Sequence, residues 1–190
     1  MPILSGFRRS SRILPAASLV GAMAITTVVI QAPAASAWTR GGCTWASPSV
    51  SYTNEVPSSS AYRSLVATAA NDWNATGTPV RMSERGGPWH IQANDYGNTG
   101  YDGWTNWNCN GSSKFTSVTS YWNTYLTNGY STNGRVQVMV HEMGHGLGLG
   151  HAGSSSCSGQ PIMYSSSDRF FACGHVTPQS DDVNGLNTLY

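Results

Sequence analysis

Three of the chain's five histidines fall within eleven residues, and their spacing constrains the local fold more than any other feature. The segment 141–151 reads H-E-M-G-H-G-L-G-L-G-H. On an α-helix, His141 and His145 project from one face, because four residues span about 400° of rotation and about 6 Å of rise. A third ligand at His151 requires the helix to end, and Gly148 provides the break, since glycine adopts the left-handed conformation. The spacing therefore predicts a helix, a sharp turn and one metal site.

The three histidines predict a catalytic rather than a structural zinc site. Three neutral imidazoles leave the fourth position of a tetrahedral zinc open, and a zinc-bound water there has a pKa of about 7. Glu142 is predicted to be the base that takes a proton from this water as it attacks a peptide carbonyl, and not a metal ligand. The alternative is a glycine-rich helix with packed histidines, which leaves the ligand spacing unexplained.

The same segment resembles the metzincin signature H-E-x-x-H-x-x-G-x-x-H at every fixed position. Residues 161–164, Pro-Ile-Met-Tyr, are similar to the Met-turn of that family, in which the methionine lies beneath the metal without binding it. Within the metzincins the chain is most similar to the matrixins. Residues 177–186 resemble the start of their last helix, and Trp73 with residues 78–80 resembles the end of their first helix and the next strand.

This resemblance implies an α+β fold of the metzincin type and a secreted zinc endopeptidase. The expected parts are a twisted, mostly parallel sheet, an active-site helix, a Met-turn and a C-terminal helix. One zinc held by His141, His145 and His151 is the implied cofactor, with Glu142 as the catalytic residue and no other cofactor-binding residue. Calcium is common in the family, but no acidic loop identifies a calcium site in this chain.

The sequence departs from other metzincins at two positions. Ala152 follows the third histidine, where astacins carry glutamate, and Ser165 stands where astacins and serralysins carry a tyrosine ligand. His90 and His175 are too few for the structural zinc site of matrixins. We interpret both as surface or core residues.

Residues 1–37 have the three parts of an export signal. These are a positively charged start, an apolar stretch and small residues at a cleavage site, at 8–12, 13–30 and 35–37 respectively. The pattern predicts a signal peptide over 1–37 and a secreted catalytic domain over 38–190. An uncleaved membrane anchor and twin-arginine export are the alternatives.

Charge excludes one class of partner. The whole chain has 10 Lys and Arg against 9 Asp and Glu, and removing the three arginines of the signal leaves a net charge of about −2. Without a basic patch, nucleic-acid binding is not expected. We expect a protein or peptide substrate, no stable membrane association after signal cleavage, and a monomer. Seven tryptophans and nine tyrosines suggest an alternative, a secreted non-catalytic glycan- or protein-binding module, which leaves the metal motif unexplained.

Four cysteines in an exported chain favour two disulfides. Three pairings are possible, and we favour Cys43–Cys109 with Cys157–Cys173, in which each bridge stays within its own half of the chain. Zinc binding by these cysteines is disfavoured because none forms a C-x-x-C pair.

Periodicity and turn residues predict the remaining elements. Residues 94–111 are rich in Gly, Asn and aromatics and indicate irregular structure or a twisted edge. The other predictions are strands at 50–52, 80–82, 89–93 and 116–126, a helix capped at 58–60 and ending before Gly77, a helix beginning near Arg135, and a last helix with Thr177 as N-cap.

The matrixin resemblance also places the pocket for the side chain after the scissile bond. It lies between the metal helix and residues 164–176, which contain Phe170 and Phe171 with Asp168 and Arg169 just before them. The two phenylalanines predict an apolar or aromatic preference at that substrate position.

Overall fold

The computed structural model describes residues 38–153, 157–158 and 160–190. The predicted signal peptide lies outside the described residues, as do the side chains of 168–170. The elements in chain order are β1 (Thr39–Arg40), β2 (Ser49–Asn54), α1 (Arg63–Asn74), β3 (Arg81–Glu84), β4 (Trp89–Asn94), β5 (Gly103–Cys109), β6 (Phe115–Asn123), α2 (Thr124–Thr127), α3 (Thr132–Gly146), β7 (Leu149–Gly150), α4 (Asp168–Cys173) and α5 (Ser180–Leu189).

Five of the strands form one sheet in the order β3-β2-β4-β6-β5. The pairs β2–β3, β2–β4 and β4–β6 are parallel, and only β5 runs antiparallel, against β6. β5 is therefore an edge strand, with one side unpaired within the sheet. This mixed α+β architecture confirms the expected fold class.

The core lies between this sheet and the helices α1 and α3, which pack against each other. Alternate residues of β4 point into it, and Trp89 and Ile91 are fully buried. Trp89 lies directly against α3 at Gly146, where any side chain would overlap the indole ring. The helix that carries the histidine motif is thus fixed against the sheet.

Three predicted helix starts shift in the structure. Helix α1 begins at Arg63 rather than after a serine cap at 58–60, although Ser60 accepts a hydrogen bond from the Tyr62 amide. Helix α3 begins at Thr132, capped by Ser131. The last helix begins at Ser180, where Gln179 and not Thr177 is the N-cap. At α3 and α5 a polar group other than the predicted one satisfies the first free amides, whereas Tyr62 at the start of α1 makes no side-chain cap.

The stretch 94–111 resolves into a loop and a regular strand. Gly103–Cys109 forms β5, so the twisted-edge alternative is confirmed and irregular structure is wrong for these seven residues. The predicted strand at 116–126 ends at Asn123, whose side chain caps the short helix α2. The last four residues of β5 are exposed and none of its seven is buried, which explains why hydrophobic alternation does not mark it.

Both favoured disulfides are present. Cys43 pairs with Cys109 and Cys157 with Cys173. The first joins the end of β5 to the segment before β2, and a loop of that length stabilises the fold by roughly 4 kcal/mol on chain-entropy grounds. Two bridges fit a protein of an oxidising compartment. No helix within the described ranges is long and apolar enough to span a bilayer.

Candidate metal centre

Helix α3 presents the first two histidines and then stops where the sequence predicts. Ser131 caps its start by accepting a hydrogen bond from the Gly134 amide at 3.2 Å. At its end Gly148 has φ of +99°, a conformation that L side chains rarely adopt. The chain turns there into β7, which leads to His151. The predicted break after the helix is confirmed.

The three predicted ligands come together, and two are held in a defined tautomer. His141 Nδ1 lies 2.8 Å from the carbonyl oxygen of Ile162, and His145 Nδ1 lies 2.9 Å from that of Leu149. Because a carbonyl only accepts, each Nδ1 donates, and each Nε2 keeps its lone pair for a metal. His145 Nε2 lies 3.2 Å from His151 Nε2, and one ring nitrogen of each histidine lies within 4.8 Å of the others.

This donor set fits zinc. Zinc–nitrogen bonds of about 2.0–2.1 Å in a tetrahedron separate neighbouring ligand atoms by roughly 3.3 Å, close to the distance between His145 and His151. Three nitrogen donors without a fourth protein ligand are typical of a catalytic site. Among the described residues, no other group of three His, Cys, Asp or Glu side chains is close enough to hold an ion.

Burial keeps these imidazoles neutral. It lowers the pKa of His141 to about 3, helped by His145 and His151 and opposed by the hydrogen bond to Ile162. The pKa of His145 falls to about 4, also mainly through burial, and that of the exposed His151 is lowered for the same reason. Metal ligands must be deprotonated, so near neutral pH the site is in its binding form.

The predicted Met-turn lies directly beneath this helix. Met163 is almost fully buried, and its sulfur packs against Gly144, one residue before His145. Its carbonyl oxygen accepts a hydrogen bond from the Ala152 amide at 2.9 Å, which ties the turn to the residue after the third histidine. Met163 thus supports two of the candidate ligands from below.

One buried carboxylate holds the Met-turn in place. Asp182 is 1% exposed and accepts hydrogen bonds from the backbone amides of Ile162 at 2.8 Å and Met163 at 3.3 Å. It also accepts one from the Gln179 amide at 2.7 Å, within the capping box of α5. In the sequence, Asp182 is one of two acidic residues in the first turn of α5, where the end of the helix is partly positive. Its link to the metal site becomes visible only once the chain is folded.

Glu142 lies beside the three imidazoles in a nearly water-free setting. It is 5% exposed, and its Oε2 accepts a hydrogen bond from Thr105 Oγ1 at 2.8 Å. Burial raises the pKa of Glu142 to about 8, opposed by the Thr105 hydrogen bond and reinforced by the charge of Asp102. A metal cation on the neighbouring histidines acts in the opposite direction and favours the carboxylate.

The centre opens into a cleft of about 680 Å³ between β5, α3 and the segment after the Met-turn. Its far end is polar: Asp102 and Ser167 line it, and Asp102 Oδ2 accepts hydrogen bonds from the hydroxyls of Ser167 and Tyr130. Phe171 does not line the cleft. Its side chain is 57% exposed and meets Tyr130 edge-on, with ring centroids 5.0 Å apart. The aromatic wall expected from Phe171 is therefore not formed by that residue.

The two remaining histidines lie away from the centre. His90 pairs with Glu55 on the surface, with 2.6 Å between Nδ1 and Oε1. His175 Nε2 donates to the Cys157 carbonyl oxygen at 2.8 Å. Sequence reasoning missed Thr105 altogether, because a lone threonine in a Gly- and Asn-rich stretch carries no motif.

The fold and the donor set together define a zinc metallopeptidase of the metzincin class. A family model described as Matrixin matches residues 84–190, more than half of the chain. The protein therefore belongs to the matrixin family.

Individual relatives match the chain more narrowly. A putative matrix metalloproteinase of Spodoptera frugiperda ascovirus 1a is 47% identical over 53 residues, which is 27% of this chain and 13% of the viral protein. The chain thus spans about an eighth of that relative's length. Among solved structures, high choriolytic enzyme 1, a hatching enzyme zinc-protease from the medaka fish Oryzias latipes, aligns with a TM-score of 0.48 at 14% identity. That alignment covers 78% of this chain and 94% of the fish enzyme.

Proposed function

We propose that this protein is a secreted zinc-dependent endopeptidase. The observation that carries the proposal is the convergence of three imidazoles, two with Nε2 freed by backbone hydrogen bonds, beside the buried carboxylate of Glu142. The open cleft above them is large enough for an extended peptide.

In the proposed reaction His141, His145 and His151 hold the ion. Bound zinc acts as a Lewis acid that activates water and stabilises negative charge on the scissile carbonyl oxygen. Glu142 accepts the proton of the attacking water and delivers it to the amide nitrogen as the peptide bond breaks. Its low exposure excludes bulk water that would compete for this proton.

Secretion is part of the proposal. Residues 1–37 have the composition of a signal peptide, and the two disulfides require an oxidising compartment to persist. We propose that the catalytic domain 38–190 acts outside the cell on proteins or peptides, as a monomer.

Chelation tests the activity directly. We expect purified 38–190 to cleave casein, to lose this activity with a zinc chelator, and to regain it when zinc is added back. Unchanged cleavage in the chelator would exclude a metal-dependent enzyme. Absence of cleavage by the zinc-loaded protein, together with glycan binding, would support the binding-module alternative instead.

A buried glutamine bears on which side chain fits after the scissile bond. Gln137 lies four residues before His141 and therefore on the same face of α3. It is 6% exposed and lines the main cleft, and among the described residues its Oε1 has no hydrogen-bond partner. It also lines a smaller cavity with Gln160, whose Nε2 has no hydrogen-bond partner in the part of the chain that the structure describes. Because an unpaired buried amide disfavours apolar neighbours, Gln137 makes this end of the cleft less hospitable to apolar side chains.

We therefore expect Gln137→Leu to shift cleavage toward substrates with leucine or phenylalanine after the scissile bond. The shift in relative kcat/KM should be about tenfold, within the range for a changed pocket contact. Peptide-library cleavage mapping measures it. Phe171→Ala is the control and should leave the preference unchanged, since this exposed ring lies outside the cleft. An unchanged preference in Gln137→Leu together with a changed preference in Phe171→Ala would contradict this expectation. It would instead support the phenylalanine-lined pocket predicted from the sequence.

A further inference from the structure

The edge strand β5 lies against the side chain of Glu142. Gly103 and Thr105 are two residues apart and therefore face the same side of the sheet, toward α3. A Cβ at Gly103 would lie 2.9 Å from Glu142 Cγ and 2.9 Å from Val138 Cγ1. The absence of a side chain at Gly103 lets the strand approach the stem of Glu142, and Thr105 then reaches its head.

The hydroxyl of Thr105 contacts Glu142 at two places. Thr105 Oγ1 lies 2.8 Å from Glu142 Oε2 and 2.9 Å from the Glu142 backbone oxygen. Within the described part of the chain, no protein group hydrogen-bonds the other carboxylate oxygen, Oε1. One oxygen of Glu142 is therefore fixed by the strand, and the other is left for the reacting water.

A buried hydroxyl and an indole lie behind Thr105. Ser120 lies directly across from Thr105 in the β5–β6 ladder, with 3.0 Å between the two hydroxyl oxygens. Trp89 Nε1 lies 3.1 Å from Ser120 Oγ and can only donate. Ser120 Oγ donates to the Glu142 backbone oxygen at 3.5 Å. Thr105 therefore has three acceptors within reach, and its single proton goes to the charged carboxylate, which is the nearest and the strongest of them.

We propose that Thr105 is a positioning residue for Glu142, kept in place by its contact with Ser120, which is itself held by Trp89. This inference rests on the proposed role of Glu142 as the base. The hydrogen bond holds the carboxylate in one rotamer, so that Oε1 meets the water in the geometry that proton transfer requires. Ser120 and Trp89 are both fully buried, which keeps the contact behind Thr105 rigid.

The test compares Thr105→Val, which keeps the shape and removes the hydroxyl, with Thr105→Ser, which keeps the hydroxyl. We expect Thr105→Val to lower kcat about tenfold, the size of one lost charge-assisted hydrogen bond, with KM essentially unchanged. Thr105→Ser should restore most of kcat. Zinc content and melting temperature should match those of the unmodified protein, and Ser120→Ala should give a smaller fall in kcat.

Thr119→Val is the matched control. Thr119 is the neighbour of Ser120 on β6 and therefore lies on the outer face of the sheet. Its replacement by valine should leave kcat unchanged. Full kcat in Thr105→Val, or equal loss in the valine and serine variants, would overturn the inference while peptide cleavage by the unmodified protein upholds the proposed function. If the unmodified, zinc-loaded protein cleaves no peptide, the proposed function itself fails.

Discussion

Glu142→Ala is expected to retain zinc and to lose most activity. The three imidazoles are sufficient to hold about one zinc per chain, whereas removing a positioned base typically costs about 10²- to 10⁴-fold in rate. Metal analysis of the purified variant and kcat on a fluorogenic peptide are the two measurements.

Glu84→Gln provides the control for this experiment. Glu84 lies on β3, is half exposed and pairs with Arg63 on the surface, so kcat should not change. Loss of zinc together with activity in Glu142→Ala would show that Glu142 is a ligand rather than the base. Full activity without the carboxylate would remove it from the mechanism altogether.

His151→Ala is expected to weaken zinc binding by more than about 100-fold. Loss of an outer hydrogen-bond partner of a ligand typically costs 10- to 100-fold in metal affinity, and loss of a ligand exceeds that. Within the described ranges, the two histidines of α3 then remain as the protein donors at this site. Titration against a competing chelator measures the affinity, and the rise in melting temperature on adding zinc should disappear in the variant.

His90→Ala and His175→Ala are the matched controls, since each removes an imidazole that lies away from the centre. Both should bind zinc as tightly as the unmodified protein. A His151→Ala variant with normal zinc affinity and turnover would contradict the three-histidine site. Weaker zinc binding in His90→Ala would indicate that His90 is one of the ligands.

The metal helix was predictable because several local rules agree there. Helical spacing relates His141 to His145, and the φ requirement of glycine explains the turn at Gly148. Strands β2 and β4 were predictable too, because burial on the inner face gives β4 a clear alternation. The pairing of four cysteines followed from their positions in the chain, with each bridge in its own half.

The parts that escaped prediction depend on contacts between distant segments. β5 is exposed along much of its length, so no hydrophobic alternation marks it. Thr105 gains its significance from Glu142, 37 residues away. The strands β1 and β7 are two residues each and form only as a pair. Phe171 was expected to line the substrate pocket, but the sequence alone does not show whether an aromatic residue of that segment faces the pocket or the solvent.

The peptide unit that joins Ile162 to Met163 links the metal centre to the last helix. Its carbonyl oxygen, which belongs to Ile162, accepts from His141, and its N–H, which belongs to Met163, donates to Asp182, which also caps α5. Orientation of the first ligand and docking of the helix are thus energetically coupled through one planar group. By thermodynamic reciprocity, an ion that favours the ordered imidazole stabilises the docked helix by the same free energy with which the docked helix favours the ion. Docking of the C-terminal helix therefore contributes to the affinity of the site for its metal ion.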